Sequence, residues 1–121
     1  MKIETVEKNG VTIAVVTEGT AITDAASAME LAMTVRYETG CSRIVIDKKL
    51  VCGDFFILSS QLAGEILQKF INYRVKMAIY GDYSRYTSKP LHDFIYESNQ
   101  GKDFFFVATK EEALEKLAAA G

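Results

Sequence analysis

The stretch Ile44-Val45-Ile46-Asp47 decides the fold, because three consecutive apolar residues end abruptly in a carboxylate. A short continuous apolar run of this kind is typical of a strand that is buried on both faces, as parallel strands of α/β proteins are. Residues 75–80 and 104–107 form two further apolar runs. The three runs predict a largely parallel sheet with helices packed against it.

Helical patterns lie between these strands. The apolar positions of the first helix recur at i, i+3, i+4 and i+7, which are Ala28, Leu31, Ala32 and Val35. Thr23 is the predicted N-cap, Asp24 falls in the first turn, and Gly40 is the predicted C-terminal stop. Three more helices are predicted over residues 61–73, over residues 91–101, and after a cap at Thr109.

The chain opens with a predicted β-hairpin. Residues 11–16 alternate between the two sides of a strand, and residues 3–7 form a weaker strand before them. Asn9-Gly10 lies between the two, and both residues tolerate the positive φ of a type I′ turn. The predicted fold is therefore one α/β domain over residues 1–121, ordered β-β-α-β-α-β-α-β-α. It has a five-stranded mixed sheet and about four helices.

Size and charge limit the function classes. A chain of 121 residues is short for two cores. Its net charge of −2 gives no attraction to phosphate backbones, so no nucleic-acid partner is expected. The longest apolar stretches are far below the roughly 20 residues of a membrane span. The first residues lack the pattern of a signal peptide. A cytoplasmic protein without a membrane partner is the expectation.

Neither a metal site nor a cofactor is predicted. Cys41 and Cys52 are too few to staple a secreted scaffold, and the chain has one histidine and no Cys-x-x-Cys motif. The glycine spacing of a P-loop or dinucleotide fingerprint is also missing. No residue is assigned a catalytic role.

Candidate site residues follow the predicted strands, where the loops of a parallel sheet usually bind ligands. Asp47 is either a ligand contact or a carboxylate that stabilises its loop. Asp54 is either a general base or ligand contact, or the N-cap of the next helix. Cys52 is either a nucleophile activated by a nearby helix N-terminus or a packing residue.

The loop from residue 81 to residue 92 is the most informative stretch. Its candidate binding residues are Asp82, Tyr83, Arg85, Tyr86, Ser88, Lys89 and His92. The two cations beside a helix N-terminus predict an anion pocket, and the tyrosines offer stacking surfaces. The alternative is a solvated loop whose helix is capped by Ser88 or Thr87. His92 is either a proton-transfer group or a structural residue.

Other residues have a structural and a functional interpretation as well. Arg36 and Arg74 lie near predicted helix ends, where they would bind carboxylates or terminal carbonyl groups. Phe55 and Phe56 are expected in the core, as are residues 104–106, whereas an exposed Phe55 would indicate an interface.

Four stretches carry a resemblance to a known family, namely Val35-Arg36-Tyr37-Glu38-Thr39-Gly40-Cys41, Leu62-Ala63-Gly64-Glu65-Ile66-Leu67-Gln68-Lys69-Phe70, Asn72-Tyr73-Arg74-Val75-Lys76 and Asp93-Phe94-Ile95-Tyr96-Glu97. They resemble a bacterial family filed as a domain of unknown function, number 4180. The order of elements also resembles the STAS fold of anti-sigma-factor antagonists. Those domains are partner switches with a phosphorylatable serine where the helix begins after the strand that ends here in Asp47. The matching stretch, Asp54-Phe55-Phe56, has no hydroxyl, and Ser59 and Ser60 lie a turn further on.

Two hypotheses follow. The leading one is a non-catalytic regulatory or interaction module that binds another protein, or a second copy of itself, at the edge formed by residues 52–60 and 81–92. The rival is a small enzyme or ligand-binding protein that places Arg85, Lys89, His92 and Asp54 around an anionic molecule. A concave polar pocket would favour the rival, and a flat or convex apolar patch would favour the module.

Overall fold

The structure is a computed structural model that describes residues 2–19 and 22–120, and it has the predicted order of elements. The strands are β1 (Lys2–Lys8), β2 (Val11–Glu18), β3 (Arg43–Asp47), β4 (Lys76–Tyr80) and β5 (Phe104–Val107). The α-helices are α1 (Ala25–Thr39), α2 (Leu62–Asn72), α3 (Lys89–Gln100) and α4 (Lys110–Ala119). Between β3 and α2 the chain forms three 3₁₀ turns, Lys48–Leu50, Gly53–Phe56 and Leu58–Ser60.

The five strands form one mixed sheet in the order β1-β2-β3-β4-β5. β1 pairs antiparallel with β2, and every other pair is parallel. Asn9 and Gly10 have φ angles of 53° and 80° in the turn of the hairpin. The α/β fold with an N-terminal hairpin is thus confirmed, and so is the positive φ at both turn residues.

The strand order never reverses, and this places three helices on one face. Right-handed crossovers that always step in the same direction leave their helices on the same side of a sheet. Accordingly, α1, α2 and α3 pack over one core cluster, and α4 alone covers the other face. In many α/β folds the ligand binds in the crevice where the strand order reverses. This sheet has no such reversal among its five strands.

The helix caps are local and mostly follow the sequence. Gly40 takes the left-handed conformation that ends α1, and Ser88 and Thr109 cap α3 and α4. The predicted N-cap at Thr23 is wrong. Asp24 is the N-cap, because its carboxylate accepts a 2.7 Å hydrogen bond from the Ser27 amide. This bond lowers the pKa of Asp24.

One side chain closes the outer edge of β5. The Asn99 amide nitrogen donates to the Phe106 carbonyl at 3.0 Å, and its oxygen accepts from the Phe106 amide at 2.8 Å. Asn99 therefore imitates a residue of a neighbouring strand. An exposed edge is a template for pairing with other chains, and this contact occupies the middle of it.

Two arginines bind helix C-termini. Arg36 donates to the Tyr73 carbonyl at the end of α2, at 2.9 Å, as was predicted for an arginine near a helix end. Arg43 donates to the carbonyls of Leu117 and Ala120 at the end of α4. These contacts tie α1 to α2 and β3 to α4. Within the described ranges, no helix combines the length and apolar character that crossing a membrane requires.

Candidate functional site

An aromatic cluster fills the predicted ligand edge beyond β3 and β4. The Phe56 ring stacks on Tyr86 at 5.2 Å between centroids and lies 5.0 Å from Phe55 and 5.8 Å from Tyr83. The Tyr83 hydroxyl donates to the Ile79 carbonyl at 2.8 Å, and burial raises the pKa of this tyrosine. Phe55 and Phe56 are core residues, as expected. The tyrosines pack on the protein's own core instead of offering open faces to a ligand.

Lys48 covers this cluster, and the sequence analysis did not single it out. Its ammonium nitrogen lies 4.9 Å from the centroid of Tyr86, 5.4 Å from Phe56 and 5.9 Å from Tyr83. Cation–π attraction operates at these distances. A Cβ at Gly81 would lie 2.6 Å from the Lys48 Cβ, so this close approach requires glycine. In the sequence, the only indication of the contact between Lys48 and Gly81 is that a glycine directly follows a buried strand.

Beside Lys48 lies an open cleft of about 310 Å³, whose lining residues are Asp47, Lys48, Lys49, Gly81, Asp82 and Arg85. Both carboxylates already hold backbone amides of their own loops. Asp47 accepts from the Lys49 amide at 2.9 Å, and Asp82 accepts from the Ser84 amide at 2.8 Å. The hydrogen bonds from Ser84, with Arg85 and Lys48 nearby, lower the pKa of Asp82. Arg85 is exposed and forms no ion pair within the described part of the chain.

Lys89, Ser88 and His92 do not join this cleft. The Lys89 ammonium contacts the Asp93 carboxylate at 2.8 Å, which raises the pKa of the lysine. The Ser88 hydroxyl accepts from the Leu91 amide as the cap of α3. The His92 Nε2 contacts the Tyr86 carbonyl. The four residues proposed to surround an anionic ligand are therefore not brought together. They are Asp54, Arg85, Lys89 and His92, and of these only Arg85 lines the open cleft.

The segment before α2 differs from the sequence expectation. Asp54 lies exposed in a 3₁₀ turn, and its predicted role as the N-cap of α2 is wrong, because α2 begins only at Leu62 after a left-handed Gln61. Ser60 supplies the local bonds instead: its hydroxyl accepts from the Leu62 amide at 3.3 Å and donates to the Asp54 carbonyl at 2.7 Å. The residues beside the start of α2 are Ser59 and Ser60.

The two cysteines are free thiols with structural surroundings. Cys41 is buried after the end of α1. Cys52 is partly buried, and its thiol lies 3.6 Å from the Thr23 carbonyl. Neither thiol forms a hydrogen bond with the His92 ring, which contacts the Tyr86 carbonyl.

A groove between α2 and α3 is a largely apolar concave surface. It consists of two adjoining hollows of about 250 and 490 Å³ that share Phe94. We call it the α2–α3 groove and define it by its apolar residues Leu58, Leu67, Ile71, Phe94 and Phe104, its acids Glu65, Glu97 and Asp103, and Gln61, Gly64, Ser98 and Gly101. Ile71 in the groove is 42% exposed, and Ile57, the chain neighbour of Leu58, is 53% exposed. The sequence analysis missed this surface, because the spacing between two helices is a property of the assembled fold.

The chemistry available to these surfaces is limited. Among the described residues, no three His, Cys, Asp or Glu side chains converge as metal ligands. The open cleft presents the side chains of Lys48, Lys49 and Arg85, which could bind an anion. The α2–α3 groove presents apolar side chains together with its three acidic residues.

The comparisons with known proteins give a family. The family model described as Domain of unknown function (DUF4180) matches residues 8–117. The chain belongs to this family. No curated protein matches the chain. The family-level resemblance is thereby confirmed, and the family's description carries no activity.

Proposed function

We propose that the chain is a non-catalytic, STAS-like interaction module of the bacterial cytoplasm that binds another protein. The observation that supports this most is the α2–α3 groove, where apolar side chains remain exposed in a concave surface. Surfaces of this kind mark protein contacts. At the carboxyl edge of the sheet the aromatic cluster occupies part of the space where ligands of parallel sheets usually bind, and the open cleft beside Lys48 is the space that remains.

The proposed contact surface differs from the one expected from the sequence. The expected edge combined residues 52–60 with residues 81–92, but the second segment is used for the aromatic cluster and the start of α3. Only the first segment reaches the groove, through Leu58, and the adjacent Ile57 is exposed. The proposed partner therefore binds on the face of the sheet that α1, α2 and α3 cover.

Site-specific photo-crosslinking in the native cell tests this proposal. A photoreactive residue is placed at Ile57 or Ile71, and a control is placed at Glu115, which is exposed on α4 at the opposite face. We expect the same protein adduct from the first two positions and none from the third. Equal adducts at all three positions, or none at any, would contradict an interaction module.

A second candidate function is the binding of a small anion, and Lys48 and Arg85 beside the open cleft favour it. A thermal-shift screen of phosphates, nucleotides and carboxylates is the test, with Arg85→Ala as the probe and Lys89→Ala as the matched control. Each charge-assisted contact contributes about 1.5–3 kcal/mol, so Arg85→Ala should weaken binding about ten-fold or more. Lys89→Ala should leave it unchanged, because Lys89 is held by Asp93. If no anion stabilises the wild type, this candidate is excluded.

A further inference from the structure

We propose that the α2–α3 groove binds one amphipathic helix of a partner protein, whose apolar residues are flanked by lysine or arginine and whose backbone lies closest to Gly64. The inference rests on the proposed function and adds the chemistry of the partner.

Gly64 is the first observation. It lies in the first turn of α2, and glycine is a weaker helix former than alanine. A Cβ at this position would meet no atom of the chain within 4 Å, and the backbone has no positive φ. The fold of the chain itself therefore gives no reason for a glycine here. A bare backbone on the wall of a groove lets another backbone approach closely.

The charges of the groove are the second observation. Its charged residues are Glu65, Glu97 and Asp103, and no lysine, arginine or histidine lines either hollow. Asp103 contacts Lys76 at 3.5 Å, whereas Glu65 and Glu97 form no ion pair among the described residues. Complementary charge sets register and partner choice at an interface. The groove thus selects a cationic partner and repels a nucleic acid.

The backbone of the groove favours a helix over an extended segment. Both walls are helices, whose amide and carbonyl groups are bonded within the helix away from its ends. Free amide groups of α2 are confined to its first turn, so an extended peptide would find few backbone partners along the groove, whereas a helix satisfies its own hydrogen bonds and offers only side chains. The eleven residues of α2 extend over about 16 Å, which matches roughly three turns of a bound helix.

The apolar contacts are spaced for such a helix. Leu67 and Ile71 stand one turn apart on α2, and Phe94 faces them from α3. Phe104, which is 2% exposed, forms the floor. A partner helix would place apolar residues at i, i+3 or i+4 and i+7 along this line.

Selection from a displayed library of 16-residue helical peptides, with the purified full chain as bait, tests the proposal. We expect enriched peptides to combine apolar residues at helical spacing with flanking lysine or arginine. Their affinity is then measured by fluorescence anisotropy for the wild type, Gly64→Gln and Gly64→Ala. Alanine and glutamine both favour a helix over glycine, so the two variants should fold equally well. The longer side chain alone reaches over the groove.

The expected result is that Gly64→Gln binds the selected peptide at least ten-fold more weakly than Gly64→Ala. Glu97→Lys should also weaken binding of cationic peptides and reduce its dependence on salt. No enrichment, enrichment of acidic peptides, or equal affinity of the two Gly64 variants would overturn the proposal. If crosslinks at Ile57 and Ile71 persist while no peptide is enriched, the interaction module stands and the helical cationic partner is wrong.

Discussion

Replacing Asn99 by alanine tests how the free edge of the sheet is closed. The change removes both hydrogen bonds to the backbone of Phe106, a residue that is only 4% exposed. Leaving a buried donor or acceptor without a partner costs about 1–3 kcal/mol each. Alanine recovers roughly 0.5 kcal/mol of helix propensity near the end of α3. We therefore expect a net loss of about 1.5–5.5 kcal/mol for the two groups together.

Urea denaturation followed by circular dichroism measures this loss, and light scattering at rising concentration detects association through the opened edge. Gln100→Ala is the matched control, because Gln100 is the exposed neighbour in the same helical turn. A loss below about 0.5 kcal/mol for Asn99→Ala, or an equal loss for the control, would refute the reasoning, because a buried donor or acceptor left without a partner costs about 1 kcal/mol or more.

Asn99→Asp adds a test by pH. A carboxylate can accept from the Phe106 amide but cannot donate to the Phe106 carbonyl, so the folded state raises the pKa of the new side chain. A raised pKa means that the stabilising contact is complete at low pH and is lost as the pH rises through the folded-state value. The deficit relative to the wild type should therefore be smaller at pH 4 than at pH 7. A deficit independent of pH would contradict the two-bond geometry.

Three further outcomes are expected from thermal and chemical unfolding. Gly10→Ala should lose about 1 kcal/mol, because alanine is strained at the positive φ of the hairpin turn; an unchanged melting temperature would remove this reason. Gly81→Ala should lose about 1–3 kcal/mol through the clash with Lys48, whereas Gly53→Ala, with no atom within 4 Å, should not share that loss. Asp24→Ala should destabilise the fold near neutral pH, because it removes a capping carboxylate whose pKa is lowered in the folded state. The difference in stability from the wild type should fade as the pH falls below about 3.8, and a difference that persists at pH 2 would contradict this reasoning.

Local features of the fold followed from the sequence. The hairpin turn at Asn9-Gly10 and the stop at Gly40 depend on residues a few positions apart, and both were predicted. The cap of α3 was narrowed to Ser88 or Thr87, and Ser88 is the cap. Threonine and aspartate are both common N-cap residues, so the sequence did not distinguish Thr23 from Asp24, and Thr23 was predicted. The capping box with Ser27 decides between them, and it is visible only in the folded backbone.

The site was predicted less well, for two physical reasons. The strand order is set by pairing between distant segments, so the sequence could not show that the sheet lacks a reversal and its crevice. The aromatic cluster was missed for a similar reason, because Phe56 and Tyr86 come together only when two loops meet. Lys89 is different: its contact with Asp93 one helical turn away could have been anticipated from the spacing.

The position of α4 has a consequence for how the chain folds during synthesis. Each strand pairs with the strand before it in sequence, so the sheet can grow in order as the chain leaves the ribosome. The helices on the first face arrive with their strands, but the apolar residues of the second face wait for residues 110–119. Until α4 docks, the nascent chain exposes an apolar surface that includes Ile13, Val15 and Val45. A chain truncated before α4 should therefore bind chaperones or aggregate, even though all five strands are present.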